Sequence, residues 1–243
     1  MVKVIVTLTT VPDRLNVSLP ATIKSISASS YEDFEIHLNL PRTQKTTGIN
    51  YETPSWANEF SKLKVFTGLE DIGPKTKIIP TLLRVEDPEA IIITADDDIV
   101  YHRDMIKYHI DAREIYSDYA IGFSGTKAGR LYITPKGDVE VDILDNYKTA
   151  SYKRSMFGDD FFSQYAHQSW NDDLVISAYF RDKKIPKIVM AYDKETFFVP
   201  RVKSFPIINI ADNPMTGCDL IRGHANKTSS PDLQIEYDAI IPA

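Results

Sequence analysis

The sequence predicts an α/β fold: a doubly wound, mostly parallel central sheet with helices on both faces and a smaller antiparallel hairpin region. Three observations predict it. Short β-branched apolar runs alternate with helix-period segments through the first half of the chain. The stretches between those runs are long enough to cross over a sheet, which parallel pairing requires. After residue 130 the pattern changes to apolar–polar alternation on either side of Pro135-Lys136-Gly137.

Residues 2–8 are apolar and β-branched and read as a buried strand, followed by a Pro-broken loop over 9–14. Leu19, Ile23 and Ile26 fall at helical spacing, with Pro20 in the first turn where proline is tolerated. Residues 34–40 predict a second strand ended by Pro41, and 63–66 a short third one. A helix is expected over 75–85, bent at Pro80. Residues 90–95 form the most apolar run, suited to a central strand, and a helix follows near 104–116. In the second half, residues 130–134 and 138–143 predict a hairpin, and residues 170–181 a further helix. From residue 205 the chain is rich in Asn, Asp, Pro, Gly and Ser and reads as a wrapping segment.

The 243 residues carry 43% hydrophobic and 26% charged side chains, which excludes a disordered, collagen-like or coiled-coil chain. Twenty-eight basic against thirty-four acidic residues leave a formal charge of −6, so no bulk attraction to nucleic acid or anionic lipid is expected. Cys218 stands alone, without the spacing of a disulfide or a zinc knuckle. The first ten residues lack the long apolar core of a signal peptide, and no run reaches the length of a membrane span. A cytoplasmic protein is the expectation.

The run Ile91-Ile92-Ile93-Thr94-Ala95-Asp96-Asp97-Asp98 carries the most information. Open parallel sheets bind ligands beyond the carboxyl ends of their strands. Two carboxylates about 6 Å apart there repel by about 3 kcal/mol at an effective dielectric of about 20. Splaying into water relieves this, and so does protonation or a divalent cation. Oxygen ligands with no His or Cys beside them suit a hard ion, Mg²⁺ or Mn²⁺. Alternation along extended backbone would point Asp96 and Asp98 one way and Asp97 the other.

Four features occur in order: the strand and loop over 4–14, the Gly73-Pro74-Lys75-Thr76-Lys77 segment, Asp96-Asp97-Asp98, and Asn171-Asp172-Asp173 opening a helix. Over residues 2–192 this set resembles nucleotide-sugar-dependent glycosyltransferases of the GT-A fold, family 2-like. The resemblance implies one Rossmann-like domain over 1–243, with a nucleotide-binding half (1–100), an acceptor half (101–204) and the wrapping segment (205–243). It implies a nucleotide-diphosphate sugar donor, a glycan or glycoconjugate acceptor, and Mn²⁺ or Mg²⁺. Thr9, Thr10, Arg14, Asn39, Lys77, Asp96 and Asp97 would lie against the nucleotide. Asp98 would bind the metal with Asp96, and His224 would be a third ligand. Asp173 would be the general base of an inverting transfer, Asp172 would orient the acceptor, and Trp170 would touch it.

Each motif also has a plainer reading. Ser169 three residues before Asp172 resembles a capping box, and acidic side chains favour a helix start by about 0.3–1 kcal/mol. Asp96 and Asp98 after an apolar strand also fit the nucleophile motif of haloacid-dehalogenase-like Mg²⁺-dependent phosphatases. A non-catalytic module binding nucleotide sugars or carbohydrate would share the same acidic residues.

Overall fold

The computed structural model describes residues 2–133, 135, 137–146, 148–191 and 237–240. Its first strand, β1 (Val4–Leu8), is buried along its whole length. Alternation sends Val4, Val6 and Leu8 to one apolar layer and Ile5 to the other. The first layer is closed by α1 (Leu19–Ser27), whose Leu19, Ile23 and Ile26 lie on its buried face. β2 (Glu35–Pro41) and β3 (Leu63–Leu69) extend the sheet outward in parallel.

A tight 3-10 turn, Gly73–Lys77, precedes α2 (Ile79–Arg84). The sequence predicted one bent helix here. Pro80 instead occupies the first turn of a new helix, where its missing N–H costs nothing. β4 (Ile91–Thr94) pairs in parallel with β1 on the side opposite β2, and α3 (Met105–Ile115) follows.

β5 (Ala120–Gly122), β10 (Ala150–Lys153) and β11 (Lys187–Val189) complete the sheet with β8 (Val139–Glu140), in the order β3-β2-β1-β4-β10-β5-β11-β8. β10 runs antiparallel between β4 and β5. The small second sheet consists of β6 (Ser124–Lys127) flanked by β7 (Arg130–Ile133) and β9 (Ile143–Leu144). The hairpin therefore lies one strand earlier than its sequence pattern suggested. β6 and β7 pair through Ala128 and Gly129, both at positive φ (48° and 73°). Two successive left-handed residues match the twist of a two-residue hairpin turn. Val139–Glu140 joins β11 instead.

The second apolar layer holds the aromatic residues Tyr152, Phe157, Phe161, Tyr165, Tyr179 and Phe180, all buried against α4 (Asp172–Asp182). Tyr237 and Ile240 pack onto it, with their carbonyls accepting from the Arg181 guanidinium. Residues 205–236, and with them Cys218 and His224, lie outside the described residues. No helix among the described residues is long and apolar enough to cross a membrane.

The chain leaves β1 toward β2 on one side and returns as β4 on the other. The strand order thus reverses between β1 and β4, and open α/β sheets bind ligands beyond the carboxyl ends of strands at such a switch point. Thr9 to Arg14 and Asp96 to Asp98 are the segments that emerge there.

Candidate active site

The loop after β1 turns through the 3-10 segment Pro12–Arg14. Thr9 Oγ1 donates to the Asn39 carbonyl at 2.7 Å, and Thr10 Oγ1 donates to Asp97 Oδ2 at 2.5 Å. Tyr51 pins the same loop by donating to the Thr10 carbonyl at 2.9 Å. Arg14 Nη1 lies 2.8 Å from Asp97 Oδ1 and 3.1 Å from Asp98 Oδ2. Burial opposes the guanidinium charge, but Asp97 and Asp98 outweigh it and raise the pKa.

This geometry corrects the expected alternation of the triplet. Asp97 and Asp98 share Arg14, while Asp96 turns to a different cation. The strand ends at Thr94 and residues 97–98 form a turn, so the two-residue period of extended backbone no longer applies. Asp96 N–H donates to Tyr101 Oη at 2.7 Å, and Asp96 Oδ1 accepts from Lys77 Nζ at 2.8 Å. Burial pushes the Asp96 carboxyl up to about 7 against the pull of Lys77, with Asp98 and Asp172 adding to the rise. Asp98 is raised by burial and by Asp97, with Arg14 opposing.

Lys77 joins the two acidic motifs. Its ammonium, on a side chain 8% exposed, sits 2.8 Å from Asp96 Oδ1 and 3.2 Å from Asp172 Oδ2. The second contact is an ion pair without hydrogen-bond geometry, since Asp172 Oδ2 has no hydrogen-bond partner among the described residues. Burial disfavours the charge, yet Asp172 and Asp96 raise the lysine pKa well above its usual value. Residues from the loop after β4, from α4 and from the Gly-Pro segment thus meet at one buried nitrogen.

The Gly-Pro segment is tied to the entry of α4 twice more. Lys75 Nζ donates to the carbonyls of Ala166 and Ser169. The Trp170 ring lies on Gly73, where a Cβ would fall 2.2 Å from Cε2. Gly73 also has φ of +68°, so glycine is required there on two counts. Trp170, two positions before Asp172, is 52% exposed.

At the start of α4 the cap is Asn171, not the Ser169 box that the spacing suggested. Asn171 Oδ1 accepts from the N–H groups of Asp173 (2.8 Å) and Leu174 (3.3 Å). Ser169 Oγ accepts from Asn171 N–H one step earlier. Asp172 and Asp173 then fill the first turn, both nearly buried. Asp173 Oδ1 accepts from Asn146 N–H at 2.7 Å. Burial raises the Asp173 carboxyl well above the usual range, reinforced by Asp172 and Asp145.

Asp145 and Asn146 escaped the sequence reading. Asp145 is fully buried, and neither carboxylate oxygen has a hydrogen-bond partner among the described residues. Burial pushes it up to about 7, with Asp172 adding; the nearby Ser124 hydroxyl and Lys148 oppose, though Ser124 is outside hydrogen-bond geometry. The available signal was an acid and an amide immediately after the apolar pair Ile143-Leu144. Asn39, expected against the nucleotide, is instead turned inward. Its Nδ2 donates to Thr7 Oγ1, the Lys77 carbonyl and Thr81 Oγ1, while Oδ1 accepts from Arg84. With no exposed surface, it sets the position of Lys77 from behind.

The donor set around the triplet is made of carboxylate oxygens, the ligands a hard divalent cation takes. Among the described residues no three acidic, His or Cys side chains converge closely enough to hold a metal alone. A cation beside Asp98 and Asp96 would take its other ligands from a diphosphate and water, as Mg²⁺ commonly does. In those terms the residues fit.

No family model matches the sequence, and no curated protein matches it. Solved structures do. The S. aureus TarS 1-349 structure aligns over 81% of this chain at 11% identity with a TM-score of 0.55. Its complex with UDP aligns over 80% at 14% identity and 0.53, and its complex with UDP-GlcNAc over 81% at 14% and 0.52. The fold is that of a GT-A-type glycosyltransferase. This chain spans 57% to 59% of the length of those TarS chains.

Proposed function

We propose that this chain is a glycosyltransferase that moves a sugar from a nucleotide-diphosphate sugar to a hydroxyl of a glycan or glycoconjugate. In this reading the reaction depends on a divalent cation and inverts the anomeric carbon. Lys77 is the observation that carries it: one buried ammonium joins the carboxylate beyond β4 to the carboxylate that opens α4, inside a GT-A-type sheet. TarS was crystallised with UDP and with UDP-GlcNAc on a similar fold, and a UDP-sugar is the donor class we assign.

Asp98 and Asp96 would hold Mn²⁺ or Mg²⁺. When bound, the cation stabilises charge on the departing diphosphate as a Lewis acid. Thr9, Thr10 and Arg14 would form the floor of the nucleotide site. Lys77 keeps positive potential between the diphosphate side and the acceptor side. Asp173 takes the acceptor hydroxyl proton as that oxygen bonds to the anomeric carbon and the bond to the diphosphate oxygen breaks. A carboxyl whose pKa burial raises well above the usual carboxylate range suits a general base, because it retains the proton it accepts. Asp172, beside it, would orient the acceptor.

UDP release from UDP-GlcNAc and other UDP-sugars, followed with and without Mn²⁺, tests this reading. The wild type is expected to release UDP only with the metal, and Asp98→Asn to lose that release by about 100-fold or more. Metal-independent release, or full activity in Asp98→Asn, would overturn the assigned cation site. Turnover of a generic phosphate ester without turnover of UDP-sugars would support the phosphatase alternative.

A further inference from the structure

We propose that Arg14 is a displaceable counter-ion: its guanidinium holds Asp98 while no divalent cation is bound, and releases it when a cation arrives with a nucleoside diphosphate. The inference rests on the cation site assigned above.

Among the described residues, Lys77 and Arg14 are the cations within ion-pair distance of Asp96, Asp97, Asp98 and Asp172, and they are held very differently. Lys77 is buried, its ammonium lies between Asp96 and Asp172, and its carbonyl accepts from Asn39 and Thr7. It is fixed at both ends. Arg14 ends a three-residue turn on a surface loop, its side chain is 28% exposed, and one nitrogen makes both of its carboxylate contacts. Of those carboxylates, Asp97 has a second anchor in Thr10 Oγ1, so it stays satisfied if Arg14 moves away. Asp98 is the oxygen ligand a metal would need, and Arg14 stands on it.

Four carboxylates (Asp96, Asp97, Asp98 and Asp172) face these two cations, so the local charge favours a divalent ion. Taking Asp98 from Arg14 sets two cations side by side. A diphosphate supplies the guanidinium with a new anionic partner, matching its planar fork. Metal alone should therefore bind weakly. Metal and nucleoside diphosphate should strengthen each other's binding by the same factor, as linkage demands.

Mn²⁺ titrations read by the electron paramagnetic resonance of the free ion, with and without UDP, test the proposal on the full chain. For the wild type UDP should tighten Mn²⁺ binding by about tenfold or more, within the usual range of coupling. Arg14→Gln should bind Mn²⁺ several-fold tighter without UDP and show less tightening with it. Arg14→Lys, which keeps the charge, should stay nearer the wild type and shows that the chain still folds. Equal or weaker Mn²⁺ binding in Arg14→Gln overturns the role of Arg14. If the same titrations show Mn²⁺ binding that Asp98→Asn abolishes, the cation site itself stands. No Mn²⁺ binding to the wild type under either condition overturns both.

Discussion

Replacing Asp145 by Asn removes a buried charge while keeping the side-chain shape. The carboxyl is fully buried, both its oxygens lack hydrogen-bond partners among the described residues, and burial moves its pKa from 3.8 up to about 7. A folded-state pKa above the unfolded one means that the native state holds a proton the unfolded chain has already released. Below pH 3.8 this group leaves stability unchanged. As pH rises from there to about 7 stability falls, and above about 7 the loss is complete. Three units at about 1.4 kcal/mol each amount to roughly 4 kcal/mol. The amide pays no such penalty, although its own unpartnered N–H and C=O groups cost about 1–3 kcal/mol at every pH. Urea unfolding at pH 5 and pH 8 separates the two. Between those values the wild type should lose roughly 3 kcal/mol through this residue that Asp145→Asn retains. At pH 8 the variant should be as stable as the wild type or more so. An equal pH-dependent loss in both proteins would show that Asp145 is ionised in the native state and would refute the reasoning.

Other perturbations probe the rest of the site. Asp173→Asn should preserve UDP binding while transfer falls by about 100-fold or more, the scale of a lost general base. Because burial raises the Asp173 pKa and the base must be deprotonated, the wild-type rate should keep climbing with pH beyond the point where an ordinary carboxylate has ionised; a profile already flat there would place the base elsewhere. Lys77→Met strands Asp96 and Asp172 and should destabilise the fold by about 3–5 kcal/mol, measured by urea unfolding; a loss under about 1 kcal/mol would mean the pair is screened by water. Gly73→Ala should cost about 1–2 kcal/mol for its left-handed backbone and shift the Trp170 fluorescence, and unchanged emission would show that the ring does not rest on Gly73.

Much of the sheet was legible because β1 and β4 are short β-branched runs, apolar but for one threonine each. Ile91, Ile92 and Ile93 announce β4, and Val4 to Leu8 announce β1. β6, by contrast, is Ser-Gly-Thr-Lys, too short and polar to register, and so the hairpin was assigned to the next pair of runs. The same limit applied to β10, where Ala150 and Ser151 are buried by their place between β4 and β5 and not by their own hydrophobicity. In the site, the triplet was visible as an acidic run after an apolar strand, but its orientation was not. A turn, not a pleat, sets which way each carboxylate faces. Asn39 and Lys77 were expected against the nucleotide because the resemblance implied it. Long-range contacts to Thr7, Thr81 and Asp172, unreadable from local spacing, commit them to the interior.

The insertion of β10 beside β4 has a consequence for how the chain is built. β4 gains its neighbour on that flank only when residues 150–153 arrive, some sixty positions later. A fragment stopping at residue 100 would therefore carry an unzipped row of amide and carbonyl groups along its most greasy strand. Such raw borders recruit other chains. During synthesis the first hundred residues must wait, shielded, for a late and sparingly apolar segment to seal them.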